Sequence, residues 1–407
     1  MRGVTVGIDI GTTAVTTVVA RRGKDGRWIV SGVGVSPSAG LRKGAVADAE
    51  AVAASLRKSV QEAGRASGST IRSAVVGVSG AHLGSSLTRG VIAVSRADGE
   101  ITEDDVGRVL RAAEGFISKS PNREIIHVMP REFKIDGERG IRNPVGMVGM
   151  KLEVEALVID GAKPALQNVI RAAELAGLEI EDWVASPLAA SEALLTDTQR
   201  ELGVVLLDLG AGTSDFAVFE EGQLLDLGSF PIGGSHITSD IAIGLRTQVA
   251  AAEDIKLRYA HVIPERGAKR EVIRLADFVD GGEGEFATRD LVEIVSARLT
   301  DIFELATKAL RKVGRAGLLP GGVVLTGGVA DIPGIQELAR KELKLPVEVA
   351  KAVGGDTVAD VVPRHLAVPF GLILWRERHE GEQRGRGRRP FGDLIEAVKR
   401  ALRSFVP

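Results

Sequence analysis

Alternating apolar and polar positions begin almost at the first residue, where TVGIDIGTTAVTTVV predicts a strand, a glycine-rich turn and a second strand. The same pattern returns in the middle of the chain as VVLLDLGAGTSDFAVF. The aspartates that close the two leading strands, Asp9 and Asp208, are about half the chain apart. We therefore expect a duplicated α/β domain, in which two lobes carry equivalent turns that face each other across a cleft.

The residues of these two turns suit a phosphate group. Glycine lets consecutive backbone amides approach an anion closely, and threonine adds hydroxyl donors. The residues concerned are Gly11, Thr12 and Thr13 in the first turn and Gly210, Gly212 and Thr213 in the second. Asp9 and Asp208 would repel a phosphate directly, so we expect them to hold a hydrated magnesium ion. Together the turns predict a clamp around a nucleoside polyphosphate.

Other phosphate-binding loops fit this sequence less well. After Gly210 and Gly212, the chain has Asp215 where a dinucleotide-binding GxGxxG motif needs its third glycine. A strand also follows where that fold needs a helix. The sequence contains no GxxxxGK(S/T) motif, which excludes a P-loop.

Two later segments could complete a nucleotide site. VVLTGGVADIPGIQELARKEL predicts a strand, a double glycine at Gly327 and Gly328, and a helix. Such a turn lets backbone approach a flat ring or a ribose. AAEDIKLRYA places Glu253 and Lys256 on one face of a helix, where they could hold a ribose hydroxyl and lie along a purine.

Composition narrows the class of protein. With 44% hydrophobic and 26% charged residues the chain is typical of a globular protein, and its net charge of -2 gives no general attraction to nucleic acid. The absence of cysteine excludes disulfides, cysteine zinc sites and thiol catalysis. No apolar run approaches the roughly 20 residues that span a bilayer, and no signal peptide precedes the first strand. We therefore expect a cytoplasmic or peripheral protein.

Residues 391–407, FGDLIEAVKRALRSFVP, predict an amphipathic helix. Its apolar positions recur at helical spacing, and they are Phe391, Leu394, Ile395, Val398, Ala401, Leu402 and Phe405. Its basic residues lie toward the end, and they are Lys399, Arg400 and Arg403. About 15 helical residues span roughly 22 Å, so we expect this helix to lie flat in an anionic membrane surface. The preceding RERHEGEQRGRGRRP lacks apolar periodicity and predicts a flexible linker.

Further segments make the chain resemble one family of the actin-like superfamily. SGAHLGSS, EITEDDVGRVLRAAE, EIIHVMPREFKIDG, RNPVGMVGMKLEVEALVI and PIGGSHITSDIAIGL are similar to segments of the bacterial cell division proteins called FtsA. The resemblance covers nearly the whole chain, including the C-terminal helix. It implies an actin-like, two-lobe ATP-binding fold that forms filaments. It also implies that the protein ties polymers of the tubulin-like FtsZ to the inner face of the cell membrane at the septum and recruits later division proteins.

The resemblance implies a division of the chain into six parts. The first lobe's core would be 1–82 with 163–202 and 353–375, the inserted subdomain 83–162, the second lobe's core 203–235 with 321–352, its outer subdomain 236–320, the linker 376–390 and the membrane-targeting helix 391–407. For the inserted subdomain, the sequence itself predicts a small strand–helix–strand–strand unit whose helix is capped by Thr102.

The family's ligand sites can be matched to single residues of this sequence. The resemblance implies ATP and Mg²⁺ as ligands, bound by Asp9, Gly11, Thr12, Thr13, Asp208, Gly210, Gly212, Thr213, Glu253, Lys256, Gly327 and Gly328. It adds Gly233 and Gly234 as a further phosphate- or ribose-facing turn at the start of a helix. The FtsZ tail would bind the outer subdomain, and its candidate contacts are Arg289, Arg298 and Lys308.

Whether such a protein hydrolyses ATP depends on one position. Hydrolytic relatives place Glu or Gln beside the proline that opens the helix between the lobes, and here Ser186 precedes Pro187. Serine positions an attacking water poorly, so we expect weak or negligible turnover. The alternatives are a type IV pilus assembly ATPase, a sugar or acid kinase with a carboxylate base in a second pocket, and a chaperone ATPase with a large additional domain.

Overall fold

A computed structural model describes residues 4–42, 44–115, 122–263, 272–279, 282, 284–353, 358, 359 and 361–383. The strands in this part of the chain are β1 (Val4–Ile10), β2 (Ala14–Arg22), β3 (Trp28–Pro37), β4 (Leu41–Arg42), β5 (Ala45–Val46), β6 (Ser73–Val78), β7 (Leu83–Ala93), β8 (Arg123–Ile135), β9 (Glu138–Ile141), β10 (Lys151–Ala162), β11 (Glu179–Ala185), β12 (Val204–Leu209), β13 (Ser214–Glu220), β14 (Gln223–Phe230), β15 (Val272–Arg274), β16 (Glu285–Ala287), β17 (Gly322–Thr326), β18 (Val347–Val349), β19 (Ala352–Val353) and β20 (Val362–Pro363).

The α-helices of the same residues are α1 (Ala49–Ser67), α2 (Glu103–Glu114), α3 (Lys163–Ala176), α4 (Ser186–Leu194), α5 (Asp197–Leu202), α6 (Gly234–Gly244), α7 (Val249–Tyr259), α8 (Thr288–Lys312), α9 (Ile335–Leu343) and α10 (Ala367–Gln383). Three short 3-10 turns, Leu275–Asp277, Gly328–Asp331 and Arg364–Leu366, complete the described helical structure.

Two five-stranded sheets have the same strand order. The first runs β3-β2-β1-β6-β11 and the second β14-β13-β12-β17-β18. In both, three consecutive strands form an antiparallel meander, and two later strands add in parallel to its inner edge. This equivalence confirms the duplicated α/β fold that the repeated sequence pattern predicts.

Two helices, α4 and α10, join the first sheet to the second. They pack tightly against each other, since a Cβ at Gly371 would lie 1.9 Å from the carbonyl oxygen of Ala189. Helix α10 also crosses β1 closely, because a Cβ at Gly7 would lie 1.9 Å from the carbonyl oxygen of Pro369. Helix α4 in turn contacts β12, β13 and β14 of the second sheet. The two sheets therefore share one pair of packed helices.

A third sheet, ordered β7-β10-β8-β9 and covered by α2, is inserted between β6 and α3. The predicted strand–helix–strand–strand pattern is present, and the sequence missed only the short strand β9 that pairs with β8. Thr102 caps α2 as predicted, and Asp105 completes a capping box with it. On its other side, the sheet reaches the second lobe where the Ser85 hydroxyl donates to Asp226 of β14.

Helices α6, α7 and α8 and the hairpin β15–β16 form an outer layer on the second sheet. The apolar stripe of α8 is fully buried at Leu291, Val295 and Leu299, and α6 and α9 pack beside it. The second lobe therefore has one core that continues from its sheet into this outer layer.

Helix α10 continues to Gln383, so residues 376–383 are helical where the sequence predicts the start of a linker. An ion pair and a hydrogen bond hold the start of this extension, since Arg378 lies 3.0 Å from Glu192 of α4 and the Trp28 indole donates to Glu377 at 2.8 Å. The chain therefore stays packed on the first lobe beyond Trp375, although this segment is charged and lacks apolar periodicity.

The remainder of the predicted linker and the predicted membrane helix, residues 384–407, lie outside the described residues. Within the described ranges, the helices are each too short or too polar to cross a membrane.

Candidate functional site

A cleft of about 520 Å³ lies between the two central sheets and collects most of the residues predicted to bind a nucleotide. Those that line it are Asp9, Gly11, Thr12, Thr13, Asp208, Gly210, Gly212, Thr213, Gly234, Glu253, Lys256, Gly327 and Gly328. Gly233 does not line the cleft but lies directly behind the second turn. Residues from five separate segments of the sequence therefore meet in one place.

The two glycine turns have the same internal geometry and touch each other. The Gly11 amide donates to the carbonyl of Ala14 at 3.0 Å, and the Gly210 amide donates to the carbonyl of Thr213 at 3.0 Å. A Cβ at Gly212 would lie 2.5 Å from the Thr12 hydroxyl oxygen. Only a residue without a side chain lets the turns approach this closely.

Three carboxyl groups lie at the inner end of the cleft, and each is short of counter-charge. Burial, together with the smaller effect of the neighbouring Asp208 charge, raises the pKa of Asp9 to about 7. Burial raises the pKa of Asp208 to about 6. Burial and the charge of Asp208 raise the pKa of Asp215 to about 8, although hydrogen bonds from Ser229 and Thr213 oppose the shift. A cation in the cleft would restore the ionised forms of all three.

The carboxyl groups do not form a direct metal cage. Among the described residues, no three acidic or histidine side chains come together in an arrangement that could hold a metal ion. Any divalent ion here would have to complete its coordination with water or with ligand oxygens.

The double glycine after β17 packs directly on the second turn. Gly327 has φ +83°, and a Cβ there would lie 2.5 Å from an Asp208 carboxylate oxygen. Strand β17 pairs in parallel with β12, so Thr326 lies beside Asp208. The position therefore needs glycine both for its backbone conformation and for the close approach.

The start of α6 packs on the second turn and uses backbone amides to do so. The Gly234 amide donates to the carbonyl of Gly210 at 2.9 Å, and the Gly233 amide donates to the His236 ring at 3.1 Å. These two amides are therefore engaged within the protein. Gly233 and Gly234 support the second turn, and Gly234 also lines the cleft, so the ligand-facing role that the sequence suggests for them stays a prediction.

Glu253 and Lys256 form an ion pair on the wall of the cleft. The Lys256 ammonium lies 2.7 Å from the Glu253 carboxylate and donates to the Thr238 hydroxyl at 2.8 Å and to the Gly234 carbonyl at 3.3 Å. Lys256 is thereby fixed, while 42% of the Glu253 side chain stays exposed to the opening. Glu253 has the freedom to accept from a ligand hydroxyl.

Sequence reasoning missed several residues of the cleft. Asp215 is the most important, since it is 5% exposed and pairs with Asp208 across the β12–β13 hairpin. Its signal was available, because a hairpin with a four-residue turn places those two positions opposite each other. Asp331 and Arg364 also line the cleft, and nothing in their two separate segments indicates that these residues lie close together. Ser186, which the sequence did single out beside Pro187, lines the cleft too, and its buried hydroxyl has no hydrogen-bond partner within the described structure.

The three basic residues predicted to bind a partner's tail do not form one patch. Helix α8 turns by about 100° per residue, so the nine positions between Arg289 and Arg298 place them on nearly opposite sides. Arg298 pairs with Asp240 at 2.6 Å and lines a smaller cavity of about 270 Å³. Arg289 pairs with Glu293 on the surface, and Lys308 is exposed elsewhere on the helix. The structure brings none of the three together.

Comparison with solved structures agrees with the observed architecture. The PilM-PilN type IV pilus biogenesis complex aligns with a TM-score of 0.65 at 18% identity, covering 92% of this chain and 99% of that chain. MreB 5 of Spiroplasma citri bound to AMPPNP aligns with a TM-score of 0.54 at 15% identity, covering 95% and 100%. At these identities the likeness shows the actin-like fold alone.

Sequence comparison is more specific. The family model described as Cell division protein FtsA matches residues 205–364, and the SHS2 domain inserted in FTSA matches residues 80–160. The chain is 36% identical over 371 residues to the Cell division protein FtsA of Pseudomonas aeruginosa, covering 91% of this chain and 88% of that protein. It is 39% identical over 345 residues to that of Bacillus subtilis, covering 85% and 78%.

The sequence similarity over most of the chain, the inserted third sheet and the duplicated two-lobe fold all point to the same family. The chain belongs to the FtsA family of bacterial cell division proteins.

Proposed function

We propose that the cleft binds ATP together with a hydrated magnesium ion. The observation that carries this proposal is the contact between the two glycine turns, which leaves their amides and the hydroxyls of Thr12, Thr13 and Thr213 around one cavity. These groups are donors for phosphate oxygens. The ribose and base would lie between the α7 pair, Glu253 and Lys256, and the double glycine after β17.

The acidic residues supply what a magnesium ion needs. Asp9 and Asp208 lie on opposite lobes and would hold the ion through its water molecules. Burial raises the pKa values of both carboxyl groups, and a magnesium ion nearby would oppose this shift and favour their ionised forms. When bound, the ion would neutralise the phosphate charge, and the protein's own residues would orient the nucleotide and exclude water from it.

Binding can be tested by titration calorimetry with ATP and MgCl₂. Asp208→Ala should weaken binding at least about 10-fold, because hydrogen bonds to charged groups contribute about 1.5–3 kcal/mol. Asp25→Ala is the matched control, since Asp25 is an exposed aspartate that pairs only with Arg27 in the turn before β3. Equal affinity of wild type and Asp208→Ala would refute the proposed site.

We propose further that the protein turns ATP over slowly or not at all. Ser186 occupies the start of α4 and faces the cleft, where hydrolysis needs a group that orients the attacking water. A hydroxyl is a weaker acceptor for this purpose than a carboxylate or an amide. Measured phosphate release should remain near background, and rapid release that Asp208→Ala abolishes would contradict this proposal.

Family membership supports a role as a membrane adaptor for FtsZ polymers. In this role the nucleotide cleft and the C-terminal segment would act together. In this proposal, ATP-bound copies assemble into filaments, and each copy offers one amphipathic helix, residues 391–407, to an anionic membrane. A single interfacial helix binds reversibly, and several linked helices bind firmly through avidity. Nucleotide binding would thus control how many anchors hold at once, on the inner face of the membrane at the division site.

Liposome co-pelleting tests the anchor. Wild-type protein should pellet with anionic liposomes, and more strongly with ATP, whereas Leu394→Glu should remain in the supernatant because it places a charge on the apolar stripe. Leu202→Glu is a matched control, since Leu202 is a half-exposed leucine at the end of α5. Unchanged pelleting of Leu394→Glu would show that this helix is not the anchor.

We propose that the FtsZ tail binds beside α8. Arg298 is the strongest of the three candidates, since it lines a cavity beside Ile243, an isoleucine with 76% exposure. Fluorescence anisotropy with an FtsZ C-terminal peptide should show weaker binding to Arg298→Ala than to Arg289→Ala. The reverse order would move the site to another face of α8.

A further inference from the structure

Two short turns meet at one rim of the cleft, and they belong to different lobes. The turn Gly328–Asp331 follows β17 of the second sheet, and the turn Arg364–Leu366 leads into α10, which packs on the first sheet. Both Asp331 and Arg364 line the cleft. The Arg364 side chain is 18% exposed, and that of Asp331 is 72% exposed.

Arg364 reaches across this rim and makes two polar contacts. One guanidinium nitrogen forms an ion pair with the Asp331 carboxylate. Another donates to the carbonyl of Ala350 at 3.2 Å. Ala350 itself donates to Leu325 of β17 at 2.9 Å, so it is fixed to the second sheet. The Ala350 bond lies beside the β19–β20 pair, where the chain passes between the lobes, so the ion pair with Asp331 is the contact of Arg364 that depends on how far this rim opens.

The other ion pair of the cleft cannot act in this way. Glu253 and Lys256 both lie on α7, so the distance between them does not depend on how far the lobes are apart. The pair between Arg364 and Asp331, by contrast, must break whenever this rim opens. A planar guanidinium with fixed donors is suited to holding two acceptors at once.

We propose that Arg364 is a latch between the lobes, and that it slows release of the nucleotide from the cleft. The proposal rests on the proposed ATP site and concerns the regulation of that site. A bound nucleotide leaves only when the lobes separate, and separation at this rim breaks the ion pair between Arg364 and Asp331. The latch therefore acts mainly on the dissociation rate, and the contacts that bind the phosphates are unaffected.

Chase experiments with a fluorescent ATP analogue measure that rate. Asp331→Asn keeps the bond to Ala350 and should release the analogue about threefold faster, in line with an exposed ion pair. Arg364→Gln removes the same ion pair and should also release it about threefold faster. The double variant should match Arg364→Gln alone, because Asp331 has no latch partner once Arg364 is gone. Arg274→Gln removes an exposed ion pair with Glu285, outside the cleft, and should leave the rate unchanged.

The possible outcomes distinguish failure of the latch proposal from failure of the proposed ATP site. If the wild type retains the analogue and the three latch variants release it at the wild-type rate, the latch is wrong and the ATP site stands. If the wild type does not retain the analogue at all, the ATP site is wrong and the latch fails with it.

A second test does not depend on charge. The chain has no cysteine, so Asp331→Cys combined with Arg364→Cys introduces the only two thiols. A short bismaleimide should join them and trap a preloaded nucleotide, with a release rate at least about tenfold below that of the untreated protein. Cross-linked protein that releases nucleotide at the untreated rate would overturn the latch.

Discussion

The hairpins β1–β2 and β12–β13 have the same backbone structure, but they carry different side chains around the cleft. Asp9 faces Thr16 in the first hairpin, and Asp208 faces Asp215 in the second. The tip of the first turn carries hydroxyl side chains, whereas the equivalent tip of the second includes Gly212. A shared backbone thus supports two different sets of side chains.

The difference shows how a duplicated turn becomes one asymmetric site. Thr12 occupies the space that a side chain at Gly212 would need, so only one of the two tips can carry a side chain at the contact. Two of the three carboxyl groups at the inner end of the cleft, Asp208 and Asp215, belong to the second hairpin. The first hairpin therefore supplies mainly hydroxyls, and the second supplies most of the charge.

The largest expected effect comes from filling the space at Gly212. In Gly212→Val, the new Cβ would lie 2.5 Å from the Thr12 hydroxyl oxygen, so the two turns must separate. Amides that act together on one phosphate chain would then be misplaced, and we expect ATP affinity to fall at least about 30-fold. Titration calorimetry measures the loss.

Thr13→Val is the matched control, because Thr13 occupies the equivalent position of the first turn and its side chain is exposed. It removes one hydroxyl without moving the backbone, so we expect a loss of less than about fivefold. Equal losses in the two variants would mean that the tips are interchangeable, which would break the comparison.

Local patterns made much of this predictable. Both turns, the double glycine and the α2 cap each lie within a short stretch of sequence, and the duplicated fold follows from the repetition of one such stretch. Asp215 was visible too, but its importance depends on pairing with Asp208 and on burial by both lobes. The Arg364–Asp331 contact joins distant segments and has no local signal.

One other prediction differs from the structure for an identifiable reason. The segment after Trp375 is charged and looks like a linker, yet Glu377 and Arg378 find partners on the lobe and continue α10. The tail contacts on α8 stay a prediction, and helical spacing alone places Arg289 and Arg298 on nearly opposite sides of the helix.

A smaller effect should appear in stability, as a function of pH. The Asp215 carboxyl has a pKa of about 8 when folded, against a usual value of 3.8, so between these values the folded protein keeps a proton that the unfolded chain has lost. Its contribution therefore lowers the stability of the nucleotide-free protein as pH rises from about 4 to about 8. Asp215→Asn removes this penalty, and its Tm advantage over wild type should grow to about 2–4 °C near pH 8.

Differential scanning fluorimetry at several pH values between 5 and 8.5, without nucleotide, measures that advantage. Asp98→Asn is a suitable control, since Asp98 is exposed and hydrogen bonds from Arg96 lower its pKa, so its contribution to stability does not change between pH 5 and 8.5. A Tm difference for Asp215→Asn that does not change with pH would contradict the claim that ionisation of Asp215 distinguishes the second hairpin from the first.

The smallest expected effect is at Thr16, which occupies in the first hairpin the position that Asp215 occupies in the second. Thr16 is 8% exposed and lines the cleft, but its side chain does not ionise. Thr16→Val keeps the shape and removes a hydroxyl, so we expect a Tm change of about 1–2 °C that is the same at pH 5 and pH 8. A pH-dependent change would mean that Thr16 sets the ionisation of Asp9 across the hairpin. The two lobes would then share the electrostatics of the site, and the carboxyl groups of the second hairpin would no longer dominate it.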